Sequence, residues 1–171
     1  VASGDVFESV RVRDFIPQNG FTQDPHKLRA VAFTAGYPLR KADNDGFYLV
    51  FKVWNNGSPL TTGITVEITT VDDPNNSAPG AVYRLGVSGA KLVSGTTNLG
   101  SLVMGTETLV NVTGASTNGV FTTTALAITT ANLNTPAAGN LVALYIRRNG
   151  GNAADTHTGE ILVTNVVIKD T

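Results

Sequence analysis

Cysteine is absent from the 171 residues, and tryptophan, methionine and histidine contribute only one, one and two residues. Without thiols there is no disulfide framework, no thiolate zinc site and no cysteine nucleophile. A chain of this length hides about 70% of its unfolded surface on folding, so its core stands without such staples. Charge is scarce as well: 15% of residues are charged, with 12 Lys+Arg against 13 Asp+Glu. That balance excludes the basic excess needed to gather nucleic acid or an anionic membrane. No apolar run approaches the length of a bilayer-spanning helix. The opening VASGDVFESV shows neither the basic start nor the apolar stretch of a secretion signal, and trimming of an initiator Met before a small residue would explain Val1.

Helical periodicity is missing too. Segments free of Gly and Pro are short and rich in β-branched residues, which suit a pleated surface better than a helix. Strand signals recur about every ten residues, the rhythm of a sandwich or barrel. Residues 47–54 (FYLVFKVW) form the strongest of them. Phe47, Leu49, Phe51 and Val53 share one face, while Tyr48, Val50, Lys52 and Trp54 share the other. Being apolar on nearly both sides, this strand is expected to sit centrally. Residues 64–68 (ITVEI) alternate cleanly, with Ile64, Val66 and Ile68 inward. Shorter strands are expected over 81–87, 99–104, 107–112 and 120–124. Residues 125–133 read equally as strand or as a helical turn. Two clear strands follow at 141–147 and 160–169, and their connection is long for a hairpin. Residues 72–80 (DDPNNSAPG) are a polar loop of turn formers.

The first 26 residues differ in kind, because Val10, Val12, Phe15, Ile16 and Phe21 are apolar but aperiodic and are broken by Pro17, Gly20 and Pro25. The expected organisation is therefore an N-terminal arm or edge-covering segment, 1–26, and one β-sandwich domain, 27–171.

Catalytic chemistry finds little support. His26 and His157 both fall in expected loops, where solvation is the default, and no Gly-x-Ser-x-Gly elbow is present. No third group can be named to hold a base beside a nucleophile. Zinc ligands are not clustered. Residues 43–46 (DNDG) resemble part of a calcium loop, but no closing glutamate follows and a turn explains them equally well. The adjacent carboxylates Asp72 and Asp73 lie in a loop and signal no glycosidase pair. Neither an enzyme nor a cofactor is expected.

Residues 141–169 read LVALYIRRNGGNAADTHTGEILVTNVVIK. An apolar strand ends in Arg, a Gly/Asp-rich loop follows, and Asp-Thr-x-x-Gly leads into the last apolar strand. The segment resembles the C-terminal hairpin of jelly-roll structural proteins from tailed-phage virions. The matching residues are Arg147 or Arg148, Asp155, Thr156, Gly159 and Leu162, with His157 where the family often has Tyr. In physical terms an Arg at the strand end pairs with Asp155 across the loop. Thr156 bonds the backbone, and Gly159 adopts a conformation other residues avoid. These residues are expected to lock the hairpin rather than to form an active site.

The resemblance implies an all-β fold, a two-sheet antiparallel jelly-roll sandwich with an extended N-terminal segment. It implies a non-enzymatic virion component made in the bacterial host cytoplasm: a decoration or cement protein on the outer surface of a phage capsid. Its partners would be the major capsid protein and further copies of itself in a homotrimer, with no nucleic acid and no membrane. Phe7, Val10, Phe15 and Ile16 are the expected capsid contacts. The alternative is a carbohydrate- or receptor-binding module of a tail fibre. Its sign would be an exposed row drawn from Tyr37, Tyr48, Trp54, Tyr83 and Tyr145.

Overall fold

The computed structural model describes residues 6–11, 16–17, 29–31, 34–41, 45–53, 60, 62–72, 79–98, 101–117 and 119–171. The elements are β1 (Val6–Arg11), β2 (Ile16–Pro17), β3 (Arg29–Val31), β4 (Thr34–Leu39), β5 (Gly46–Lys52), β6 (Gly63–Asp72), β7 (Val82–Leu92), β8 (Thr108–Thr113), β9 (Phe121–Thr129), a 3-10 turn at Ala131–Leu133, β10 (Leu141–Arg148) and β11 (Ile161–Asp170). They form two sheets. One has the order β3-β4-β11-β6-β9, with β1 also paired to β11; the other has the order β2-β5-β10-β7-β8. Every pairing is antiparallel.

From β4 onward the chain crosses from sheet to sheet at each connection, except at the β7–β8 hairpin. Strands distant in sequence therefore become neighbours, which gives the jelly-roll connectivity of an all-β sandwich. The alternation read from the sequence explains the core. Phe47, Leu49, Phe51 and Val53 are all buried, as are Ile64, Val66 and Ile68 from the facing sheet. Val142, Leu144 and Ile146 of β10 fill the space beside them.

Four sequence expectations change. The strand within residues 47–53 is not central in its sheet. β5 has β10 on one side and only the two-residue β2 on the other, and Val50 on its outer face is 47% exposed. Of its outward residues, Tyr48 and Val50 are apolar without being core, and Lys52 is exposed. Residues 102–104 are not a strand. The connection they belong to bonds once to β7, through the Gly105 amide and the Gly89 carbonyl (2.8 Å), and passes too close to Asn132 for a side chain at 105. The ambiguous stretch 125–133 divides: β9 runs to Thr129, then the 3-10 turn buries Leu133 against Gly89. Lastly, the polar loop expected from Asp72 starts later, since Asp72 ends β6 and is buried.

The N-terminal segment contributes strands to both sheets. β1 runs along the second half of β11, with Val10 opposite Val166 and a register irregularity between Val6 and Glu8. β2 places Ile16 opposite Tyr48. Phe15 lies outside the described residues.

Candidate functional site

The period of two along β10 decides which arginine turns inward. Val142, Leu144 and Ile146 face the core, so Arg148 does too, while Arg147 faces out. Arg148 is fully buried, and all five N–H groups of its guanidinium have acceptors. Its Nε donates to Asp155 Oδ2 and its Nη2 to Asp155 Oδ1, both at 2.8 Å. Nη1 donates to the Gly159 carbonyl at 2.6 Å and to the Leu39 carbonyl at 3.3 Å, and Nη2 also reaches the His157 carbonyl. Asp155 Oδ2 receives the Arg84 amide at 3.2 Å, and Lys41 Nζ donates to the Asp155 carbonyl. The Thr156 hydroxyl accepts the Val82 amide at 3.1 Å, while the amides of Thr156 and His157 donate to the Val82 carbonyl.

One cation thus ties the β10–β11 connection to β4 and β7. Such a forked, charge-assisted pair fixes geometry as well as energy. Gly159 enters through its carbonyl rather than through an unusual backbone, because it is not among the glycines with positive φ. Arg147 takes no part. On the outer face it makes its own fork with Glu107, Nε to Oε1 at 2.6 Å and Nη2 to Oε2 at 2.8 Å.

The second arrangement at this end of the sandwich was not legible in the sequence. His157 is fully buried rather than solvated. Its Nδ1 lies 3.3 Å from the Gly159 carbonyl, and its Nε2 lies 3.3 Å from Asp72 Oδ1. Its ring meets Tyr83 edge-on, with centroids 5.9 Å apart, and the Tyr83 hydroxyl bonds Thr70 Oγ1 at 2.5 Å. A loop position says nothing about burial; only the fold of the 148–159 connection brings His157 beneath β6 and β7. Asp72 beside the imidazole is buried as well, 3% exposed. Among the described residues no three His, Asp or Glu side chains are grouped to hold a metal. Asp45 is buried and receives the Arg40 amide and Nε at 3.2 and 2.8 Å. Asp43, Asn44 and His26 lie outside the described residues.

Burial pushes the phenols of Tyr37, Tyr83 and Tyr145 up to about 12. A tyrosine kept neutral in the fold but ionising near pH 10 when unfolded stabilises fully below pH 10, and that contribution is lost as pH rises to about 12. The melting temperature is therefore expected to fall across this alkaline window, and Tyr83→Phe should flatten the fall. A flat profile in the native protein would contradict it.

The outer face of the second sheet carries the remaining aromatics. Tyr48 and Tyr145 pair across β5 and β10 and stack at 4.7 Å with 28° between their planes. Both are half-buried, with exposed Val50 and Leu141 on the same face. Tyr37 and Tyr83 belong to the core, and Trp54 lies outside the described residues. The described tyrosines thus supply a pair rather than a row.

No protein-family model matches the chain, and neither does any curated protein. Solved structures do resemble it. A carbohydrate-binding module, CBM36, in complex with calcium and xylotriose superposes with a TM-score of 0.50 at 12% identity, covering 94% of this chain and 98% of that one. The exo-beta-1,3-galactanase from Phanerochaete chrysosporium with galactose gives 0.51 at 13% identity, over 98% of this chain but only 30% of the galactanase. The structure of infectious bursal disease virus Gt strain gives 0.30 at 16% identity, over 90% of this chain and 38% of that one. At these identities the first two establish the fold: an all-β, jelly-roll-like sandwich.

Proposed function

We propose that the chain is a non-enzymatic structural protein of a tailed-phage virion, a decoration or cement protein that binds and stabilises the outside of the head. The observation that supports this is the buried lock of Arg148, Asp155 and Gly159, with exposed Thr156 tying the same connection to the Val82 backbone. These are the residues through which the hairpin resembles virion jelly rolls, and here they act together as a structural unit. A protein that works from its surface needs such rigidity, because its contacts must be presented at fixed positions across many copies.

In this reading the partners are the major capsid protein and two further copies in a homotrimer. Phe7, Val10, Phe15 and Ile16 touch the capsid. Because β1 is a strand of the first sheet, point substitution is a better test than deletion of the segment. The purified protein should co-sediment with undecorated capsids and raise their resistance to heat. Serine at Phe7, Val10, Phe15 and Ile16 should weaken that binding at least tenfold while far-UV dichroism stays native. Absence of binding by the native protein would overturn the reading, and unchanged binding by the variant would remove the contact assignment.

The stacked Tyr48–Tyr145 pair favours a second reading, a carbohydrate- or receptor-binding module of a tail fibre. Aromatic faces beside polar groups suit sugar rings, and the Arg147–Glu107 fork supplies the polar groups. Glycan binding lost in Tyr48→Ala, by a protein that ignores capsids, would select this reading over the first.

A further inference from the structure

The two ends of the first sheet are not alike. One ends in β3, which is three residues long; the other ends in β9, which is nine. Natural sheets blunt their edges by shortening them or by adding charge, proline or bulges, because an open edge recruits another strand. β9 (FTTTALAIT) has none of these devices. Its register against β6 runs without a break from Gly63–Thr129 to Val71–Phe121.

The hydrogen-bond phase says which groups point outward. The Thr130 amide donates to the Thr62 carbonyl at 3.2 Å, one step beyond the Gly63–Thr129 pair. That makes Gly63–Thr129 a non-hydrogen-bonded pair, so the even-numbered residues of β9 bond to β6. The amides and carbonyls of Phe121, Thr123, Ala125, Ala127 and Thr129 therefore point to the open edge. Among the described residues no strand lies beyond them.

We infer that this edge is a self-association site, at which β9 of a second copy pairs antiparallel about a two-fold axis through Ala125. The choice of a second copy rests on self-complementarity. In that register Phe121 faces Thr129, Thr123 faces Ala127 and Ala125 faces itself, so every outward-pointing amide meets a carbonyl. The one bulky side chain stands opposite a small one at each end. No charged residue lies on β9, and the chain as a whole carries a net charge of −1, so copies do not repel strongly. Exposed apolar side chains lie on the same margin. Val120 precedes β9 and Phe121 begins it, while Leu109 and Val103 belong to β8 and its approach, the matching edge of the other sheet.

The contact is isologous and closes on two copies. It would join a copy in one trimer to a copy in the next rather than close a trimer. The inference depends on the strand edge alone and holds under either functional reading.

The test is the solution mass of the full chain and of two variants, by light scattering between 1 and 200 μM (working concentrations, on the order of typical weak dimers). Ala125→Lys places like charges across the axis, and Ala125→Pro removes the central donor. Native protein should gain mass with concentration beyond its smallest assembly, and both variants should lose that gain while retaining native dichroism. A position-specific readout guards against misfolding: because the chain has no cysteine, Ala125→Cys can be joined by a short bis-maleimide, whereas Thr65→Cys, on β6, should not be. Equal masses for the native protein and the Ala125→Lys variant, or equal cross-linking at 125 and 65, would overturn the inference. Capsid binding is scored separately, so a monomeric variant that still binds shells leaves the functional reading intact.

Discussion

Asp155→Ala is expected to cost about 3–5 kcal/mol, the usual penalty for removing one partner of a buried ion pair. For a chain of this size that lowers the melting temperature by roughly 6–20 °C. The substitution leaves Arg148 fully buried with its bonds to the Gly159 and Leu39 carbonyls but no counter-charge. It also strips the Arg84 amide of its acceptor. Calorimetry of the two single variants and of Asp155→Ala with Arg148→Met separates the pair from its surroundings. The double variant should recover part of the loss, since an apolar side chain needs no partner. Arg147→Ala is the control: its pair with Glu107 is a quarter exposed on each side, and such pairs are worth about 1 kcal/mol or less. If Asp155→Ala melts like the native protein, the lock is not what holds the connection.

The contrast between two adjacent arginines shows how far sequence reasoning reaches. A motif that only asks for Arg at a strand end accepts either residue. The alternation of Val142, Leu144 and Ile146 already implies that Arg148 points inward, so the distinction was legible once strand phase was applied. The inward faces of β5 and β6 were legible for the same reason: large apolar residues at every second position leave one way to fold. β9 was harder. Apart from Phe121 its outward residues are Thr and Ala, which are weakly patterned, so its length and its place at a sheet edge emerge only from its pairing with β6. The burial of His157 had no local signal, because it depends on Asp72 and Tyr83, which are far away in sequence. Residues 102–104 were misread in the opposite sense. Their apolar content looked like a strand, yet Val103 is 78% exposed and little of the backbone finds a ladder.

Gly63→Ala is expected to be nearly as damaging, for a reason that lies in the backbone. Gly63 opens β6 with φ +146°, a conformation L side chains rarely adopt, and a Cβ there would collide with the Ile128 carbonyl of β9. Strain of this kind costs about 1–3 kcal/mol by itself. The collision adds to it, because the opposing atom is backbone and cannot rotate away. Relief requires β6 and β9 to separate at this end, which breaks the pairing of Gly63 with Thr129 and frees the Thr171 amide from the Gly63 carbonyl. The expected result is a melting temperature lower by roughly 4–12 °C for a domain of this size. Amide exchange should accelerate at 126–130 and 168–171 and stay native in β5 and β10. Since the outward row of β9 is set by its register on β6, the same substitution should weaken the gain in mass with concentration without altering any residue on the edge. Loss of stability with protection unchanged at 126–130 would place the strain elsewhere.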